Sequence, residues 1–270
     1  MRASTIHRTI RLIDEAICVL DSGVDPLKVE RIGVLVNRCM NSAERSFHTP
    51  EHIFDLARDD DPYRNIAAAF HDVVYFQVDE GLDPEICTIL DPYIEMSEDG
   101  VRLRTAVPQG ERAFHGINAV FGFEPGQVLP PYGGLNEYLS ALAMAVLLLD
   151  EVPDADLLKT AACIEMTIPF RPNTESGNTP PELLYERIKA VNRSFDLGLS
   201  DSAMREIVET AVTFANQDVL NFSEEDVARF LDNTWKLLPE TNPSLRTKEM
   251  FTIQNYRIAL QKMEGFMHVL

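Results

Sequence analysis

Apolar residues along this chain recur mostly at three- and four-residue steps. Ile6, Ile10, Ile13, Ile17 and Leu20 do so in the first segment, and Val29, Ile32, Leu35 and Val36 in the second; this is the spacing of an amphipathic helix face. Thr49 before Pro50 reads as a helix start, because threonine can cap and proline tolerates the first helical position. Asp61-Pro62 opens another helix that runs through Val74. Further helices read at about Gln109 to Phe121, Gly133 to Leu149, Asp154 to Thr167, Pro180 to Arg193, Ser200 to Asn221, Ser223 to Leu237 and Pro243 to Val269. Strand-type alternation is confined to Val101 to Val107, after a turn at Glu98-Asp99-Gly100. The pattern predicts an all-α protein with no internal repeat. Gly122 to Gly134 and Pro169 to Pro180 hold much of the proline and glycine, and are either loops at the rim of a site or plain connectors.

Composition narrows the partners. The chain has 43 acidic against 24 basic side chains, a formal net charge of -19, which argues against nucleic acid and against an anionic membrane surface. The longest apolar run, Tyr138 to Leu149, is about a dozen residues where roughly 20 are needed to span a bilayer, and reads as a buried helix. Met1 to Leu20 carries Asp14 and Glu15 inside an amphipathic pattern, unlike a secretion signal. Cys18, Cys39, Cys87 and Cys163 stand singly, without CxxC spacing, and are expected to be reduced core thiols in a cytoplasmic protein. At 270 residues a single domain with a substantial core is expected. The oligomeric state is not readable.

Four dispersed sites carry the chemistry: His48-Thr-Pro-Glu-His52, the doublet His71-Asp72 after Ala67-Ala68-Ala69-Phe70, Glu137 in Gly134-Leu-Asn-Glu, and Asp218 in Ala-Asn-Gln-Asp. Two imidazoles and two carboxylates make a mixed nitrogen and oxygen set that suits a divalent first-row metal better than calcium or a thiolate site. Pro50 places His52 in the first turn of a helix and leaves His48 outside it, so His52 suits a rigid ligand and His48 a more mobile proton donor. Either could instead be a satisfied surface histidine. The alanines before His71 let other helices approach, and Val73-Val74-Tyr75-Phe76 implies that Asp72 is at least half buried and needs a partner. Asp218 continues the apolar stripe Met204, Ile207, Val208, Ala211, Phe214 and Ala215 near a helix end that disfavours anions. A metal would compensate it; so would a buried Arg246 or Arg257. Glu137 either serves catalysis, by pointing into the site or orienting a metal-bound water, or is an ordinary acid of a first helical turn.

The order His-x-x-x-His, Phe-His-Asp-x-Val-Tyr and a late Asp resembles the HD-domain metal-dependent phosphohydrolase superfamily, and more narrowly its uncharacterised bacterial branch of predicted metal-dependent HD phosphohydrolases. Phe47 before the first His and Val74-Tyr75 after the doublet match that branch, and the resemblance covers about Arg45 to Phe222, including Asn136-Glu137 with Ser140-Ala141 and Ile164-x-x-Thr167. It implies a single helical HD-type bundle over residues 1–270, with a core at about 45–222 and helical extensions at 1–44 and 223–270. His52, His71, Asp72 and Asp218 would be the ligands of a divalent ion (Mn, Fe, Ni, Co, Zn or Mg), with Asp72 able to bridge two, and His48 would be the proton donor. Asp150, Asp154 and Asp156 compete with Asp218. The expected substrate is a small-molecule phosphate ester or nucleotide, with Arg45, Arg171 and Asn136 as candidate contacts, although the two arginines also read as solvated surface. Phe170 stands where the branch tends to carry His, which favours the alternative of a non-catalytic sensor or interaction protein.

Overall fold

Proline sets where many of the helices begin. Pro26, Pro50, Pro62, Pro84 and Pro180 each occupy a first helical position, where the missing N–H has no helical partner to lose. The computed structural model describes residues 3–20, 23–58, 61–97, 100–107, 111–149, 151–246 and 251–268. Gln109 as a helix start, the Glu98-Asp99 corner, Asp150 and Val269 lie outside these residues. Within them the chain is predominantly α-helical: α1 (Thr5–Leu20), α2 (Pro26–Met40), α3 (Pro50–Leu56), α4 (Pro62–Phe70), α5 (Pro84–Leu90), α6 (Glu111–Phe121), α7 (Leu135–Leu147), α8 (Asp154–Met166), α9 (Pro180–Phe195), α10 (Asp201–Asp218), α11 (Val227–Thr241) and α12 (Ile253–Met267).

The main core runs from α1 to α10. Ala67, Ala68 and Ala69 have no exposed surface, and their small side chains let α1, α3, α7 and α8 pack against α4. α7 is buried along nearly its whole length, as the apolar run requires. A second, smaller cluster joins Phe47 to Leu237, Leu238, Leu245, Ala259 and Met263, so α11 and α12 close over the segment that carries His48. No helix among the described residues is long and apolar enough to cross a membrane.

Several boundaries differ from the sequence pattern. α4 ends at Phe70; the His71 N–H still bonds to Ala67 O, but Asp72 lies beyond the helix. α10 stops at Asp218, followed by a 3-10 turn at Leu220–Ser223. The stretch from Pro243 is not one helix: a 3-10 turn at Pro243–Leu245 precedes α12, which starts afresh with a Thr252/Asn255 capping box. The extended piece is shorter than Val101 to Val107 and has company: β2 (Gly100–Leu103) pairs antiparallel with β1 (Ile94–Ser97) and β3 (Val128–Leu129). The four cysteines are free, but Cys18 and Cys87 are exposed rather than core thiols.

Candidate metal centre

The centre is built at the ends of elements. Thr49 has the extended backbone of a helix N-cap, although its hydroxyl does not cap, and α3 behind it carries His52. Asp72 follows the end of α4, and two side chains of α7 pin the segment after it: Ser140 Oγ accepts from Val74 N–H and Asn136 Oδ1 from Phe76 N–H, both at 3.0 Å. From beneath, Arg45 donates to the Asp72 carbonyl at 2.6 Å and to both Asp79 oxygens. Asp218 arrives as the last residue of α10.

These elements bring His52, His71, Asp72 and Asp218 together. His52 Nε2 lies 3.0 Å from Asp218 Oδ1 and 3.3 Å from His71 Nε2. Asp72 Oδ2 lies 2.9 Å from His71 Nε2 and 3.8 Å from His52 Nε2. Asp218 Oδ1 lies 3.5 Å from His71 Nε2. Ligands held at about 2.0–2.2 Å by one small divalent ion stand roughly 2.8–3.6 Å apart between adjacent octahedral or tetrahedral positions. Four of the five spacings, 2.9–3.5 Å, fall in that range, and the His52–Asp72 spacing, 3.8 Å, is wider.

The hydrogen bonding fits a cation as well. His71 Nδ1 lies 3.1 Å from Ala68 O, and a proton there turns the Nε2 lone pair toward the cluster, the usual outer support of a metal-binding imidazole. Asp72 Oδ2, which faces both histidines, is buried with no partner in hydrogen-bond geometry; His52 Nδ1 also lacks one, but it is the ring nitrogen turned away from the cluster. Acceptors facing one another out of water are costly unless a proton or a metal ion sits between them. Without an ion, protons take that place. Burial opposes a charged His71, but Asp72 and Asp218 outweigh it and raise its pKa well above 6.5. Burial likewise opposes both carboxylates, yet His71 and His48 hold Asp72, and hydrogen bonds from His52 and His71 hold Asp218, well below the usual range. His52, His71 and Asp218 form one group that could hold a metal ion, and His48, His52 and Asp72 form a second.

His48 stands beside this set, with Nε2 3.9 Å from Asp72 Oδ2. Its other nitrogen, Nδ1, meets Glu240 Oε2 at 2.5 Å. Glu240 also accepts from the backbone N–H groups of Ser46, Phe47 and His48, and it is almost wholly buried. Burial opposes His48 protonation, but Asp72 and Glu240 overcome it and raise the pKa. The sequence reading missed Glu240. Its signal was of the same kind as that of Asp218: an acid three residues after Leu237 on the buried side of α11.

Glu137, in the first turn of α7, makes no ion pair with any described residue. Its carboxyl is pushed up to about 7 by burial and by the charges of Asp72 and Asp218. The expected phosphate contacts fare differently. Arg45 is not solvated surface: its side chain is 0% exposed and paired with Asp79, so its part is to position Asp72. Asn136 is engaged with Phe76 and Gln77. Arg171 bonds to the buried Glu165, which Arg187 also pairs at 2.7 Å. Asp218 is not paired with an arginine: Arg246 donates to carbonyls at Gln77, Val78, Pro239 and Glu240, and Arg257 is exposed. Asp154 and Asp156 pair with Arg112 and Lys159 instead of joining the cluster. Phe170 adopts a left-handed backbone (φ 59°) and packs edge-on against Phe266. Comparison of the chain with protein-family models, with curated proteins and with solved structures found no match.

Proposed function

We propose that this chain is a metal-dependent hydrolase of a phosphomonoester or phosphodiester bond in a small molecule, with a nucleotide as the expected class. The observation that carries this reading is the convergence of ligand atoms from two buried histidines and two half-buried aspartates beside a histidine braced by a buried carboxylate. His52, His71, Asp72 and Asp218 would hold a divalent ion (Mn, Fe, Ni, Co, Zn or Mg), which supplies Lewis acidity toward a phosphoryl oxygen and toward water. The remaining work falls to the chain's own groups. His48 is held through Nδ1 by Glu240 and donates a proton from Nε2 to the leaving oxygen, a contribution typically of about 10²–10⁴-fold. Its raised pKa favours the proton-bearing form. Glu137, with its carboxyl near 7, has the affinity to take a proton from attacking water at neutral pH.

The test is elemental analysis of protein purified without chelator or His tag, with release of p-nitrophenol from phosphate mono- and diesters after loading with manganese, nickel or cobalt. Wild type should bind metal and turn over an ester, and His71→Ala with Asp72→Ala should do neither. Stoichiometric metal retained by that double variant would sink the assignment. A non-catalytic nucleotide- or metal-binding role is the second reading. It is favoured by Arg45, Asn136 and Arg171 all being engaged internally; metal binding without turnover of any ester would select it.

A further inference from the structure

Tyr75 stands three residues after Asp72, and its backbone is held from several directions. The N–H groups of its two neighbours, Val74 and Phe76, donate to Ser140 Oγ and Asn136 Oδ1. Its own carbonyl accepts from the N–H groups of Val78 and Asp79, each at 2.9 Å. The ring stands edge-on to the His48 ring, centroids 5.0 Å apart, and the Arg45 guanidinium lies 5.7 Å from its centroid. The hydroxyl at the end of this placement forms no hydrogen bond with any described residue, although the residue is half-buried. An enclosed tyrosine ordinarily gives its O–H to a protein acceptor. A donor locked in place without one is what a preorganised site presents to a ligand.

The charges around the hydroxyl select the ligand. Burial, with the charges of Glu240, Asp72 and Glu137, pushes its pKa up, so the phenol stays a neutral donor among three carboxyl groups. The two arginines that touch this segment are already engaged. Arg45 holds Asp79 and the Asp72 carbonyl, and Arg246 holds the carbonyls of Gln77 and Val78. A phosphate with two charges would meet these carboxyl groups with neither guanidinium free to offset it, whereas a diester brings only one charge. We infer that Tyr75 is a specificity-determining residue: its hydroxyl donates to a non-bridging phosphoryl oxygen of the substrate, and the carboxyl groups around it favour a singly charged phosphodiester. The inference rests on the proposed hydrolysis and narrows its substrate class. Tyr75→Phe removes the donor alone, because the ring that packs on His48 is kept.

The test compares manganese-loaded wild type and Tyr75→Phe on bis(p-nitrophenyl) phosphate and on p-nitrophenyl phosphate, with elemental analysis and circular dichroism of both proteins. Wild type should show the higher kcat/KM on the diester. Tyr75→Phe should lower that value by about 10–100-fold, as expected for a lost hydrogen bond to a charged group, with metal content, helix content and the pH limb set by His48 unchanged. A second arm reads binding without turnover. Diphenyl phosphate is titrated calorimetrically into manganese-loaded His48→Ala, which lacks the leaving-group donor, with and without Tyr75→Phe; affinity should fall by about tenfold or more when the hydroxyl is removed. If that affinity falls while wild type turns over neither ester, the hydrolytic reading fails and the Tyr75 contact stands. A wild type that prefers the monoester would overturn the inference, and so would a Tyr75→Phe variant with full turnover and affinity. Loss of metal or a moved His48 limb in Tyr75→Phe would also overturn it, since the residue would then act on the site's framework and not on the substrate.

Discussion

Glu240 is one carboxylate with four donors around it, three of them backbone N–H groups and the fourth the ring of His48. Such an outer partner fixes both the direction and the tautomer of the imidazole, and its loss typically costs about 10–100-fold. Glu240→Gln keeps the size and removes the charge. Turnover should fall within that range while metal content stays at the wild-type level. Because Glu240 helps to raise the His48 pKa, the alkaline limb of the rate profile should also move to lower pH, since a proton donor is lost as pH rises through its pKa. Metal lost as fully as in His71→Ala would instead mean that Glu240 supports the ligands and not the donor.

At the scale of elements, Gly134 shows how the start of α7 is set. It holds φ at 100°, and a Cβ there would stand 2.7 Å from Ile168 Cδ1. Gly133 has nearly the same φ, 99°, with nothing within 4 Å. Both alanine variants incur backbone strain of about 1–3 kcal/mol, but Gly134→Ala adds a clash in the wall that carries Asn136 and Ser140. Its urea midpoint should therefore drop further than that of Gly133→Ala; equal losses would show that Ile168 yields freely. The helices themselves were legible because their three- and four-residue apolar steps persist and proline marks many starts. Their ends were less so. The apolar run Val73-Val74-Tyr75-Phe76 looks like more helix, yet it leaves α4 because tertiary hydrogen bonds from the Val74 and Phe76 N–H groups to Ser140 and Asn136 replace the helical ones. Those partners lie some sixty residues away, beyond the reach of local periodicity. The four clustered His and Asp residues could be picked out because each is polar on an apolar background. Arg45 reads from sequence as a phosphate contact or as solvated surface, since a buried arginine is recognisable only once Asp79 and the Asp72 carbonyl are found beside it.

For the whole molecule, the cluster makes stability depend on pH in a way that an ion should reverse. In chelated protein, His48 and His71 have folded pKa values above 6.5, so their contribution is full below 6.5 and is lost as pH rises through the raised values. Glu137 acts in the same direction, with its carboxyl lifted from 4.5 to about 7. Asp72 and Asp218, depressed from 3.8, give the opposite limb: their contribution is present above 3.8 and lost as pH falls through the depressed values. Metal needs these ligands deprotonated. The gap in melting temperature between metal-loaded and chelated protein should therefore widen from about pH 6 to about pH 9; a gap that stays constant would remove the ion from the cluster. The clasp between Glu240 and residues 46–48 spans 192 to 194 positions of chain. On a ribosome adding about 5–20 residues per second, His48 emerges roughly ten to forty seconds before its brace exists. Through that interval three backbone donors and an imidazole wait in water, and the nascent chain can assemble its main core but not the brace on His48. The environment of His48 is thus completed only after the core that surrounds its neighbours.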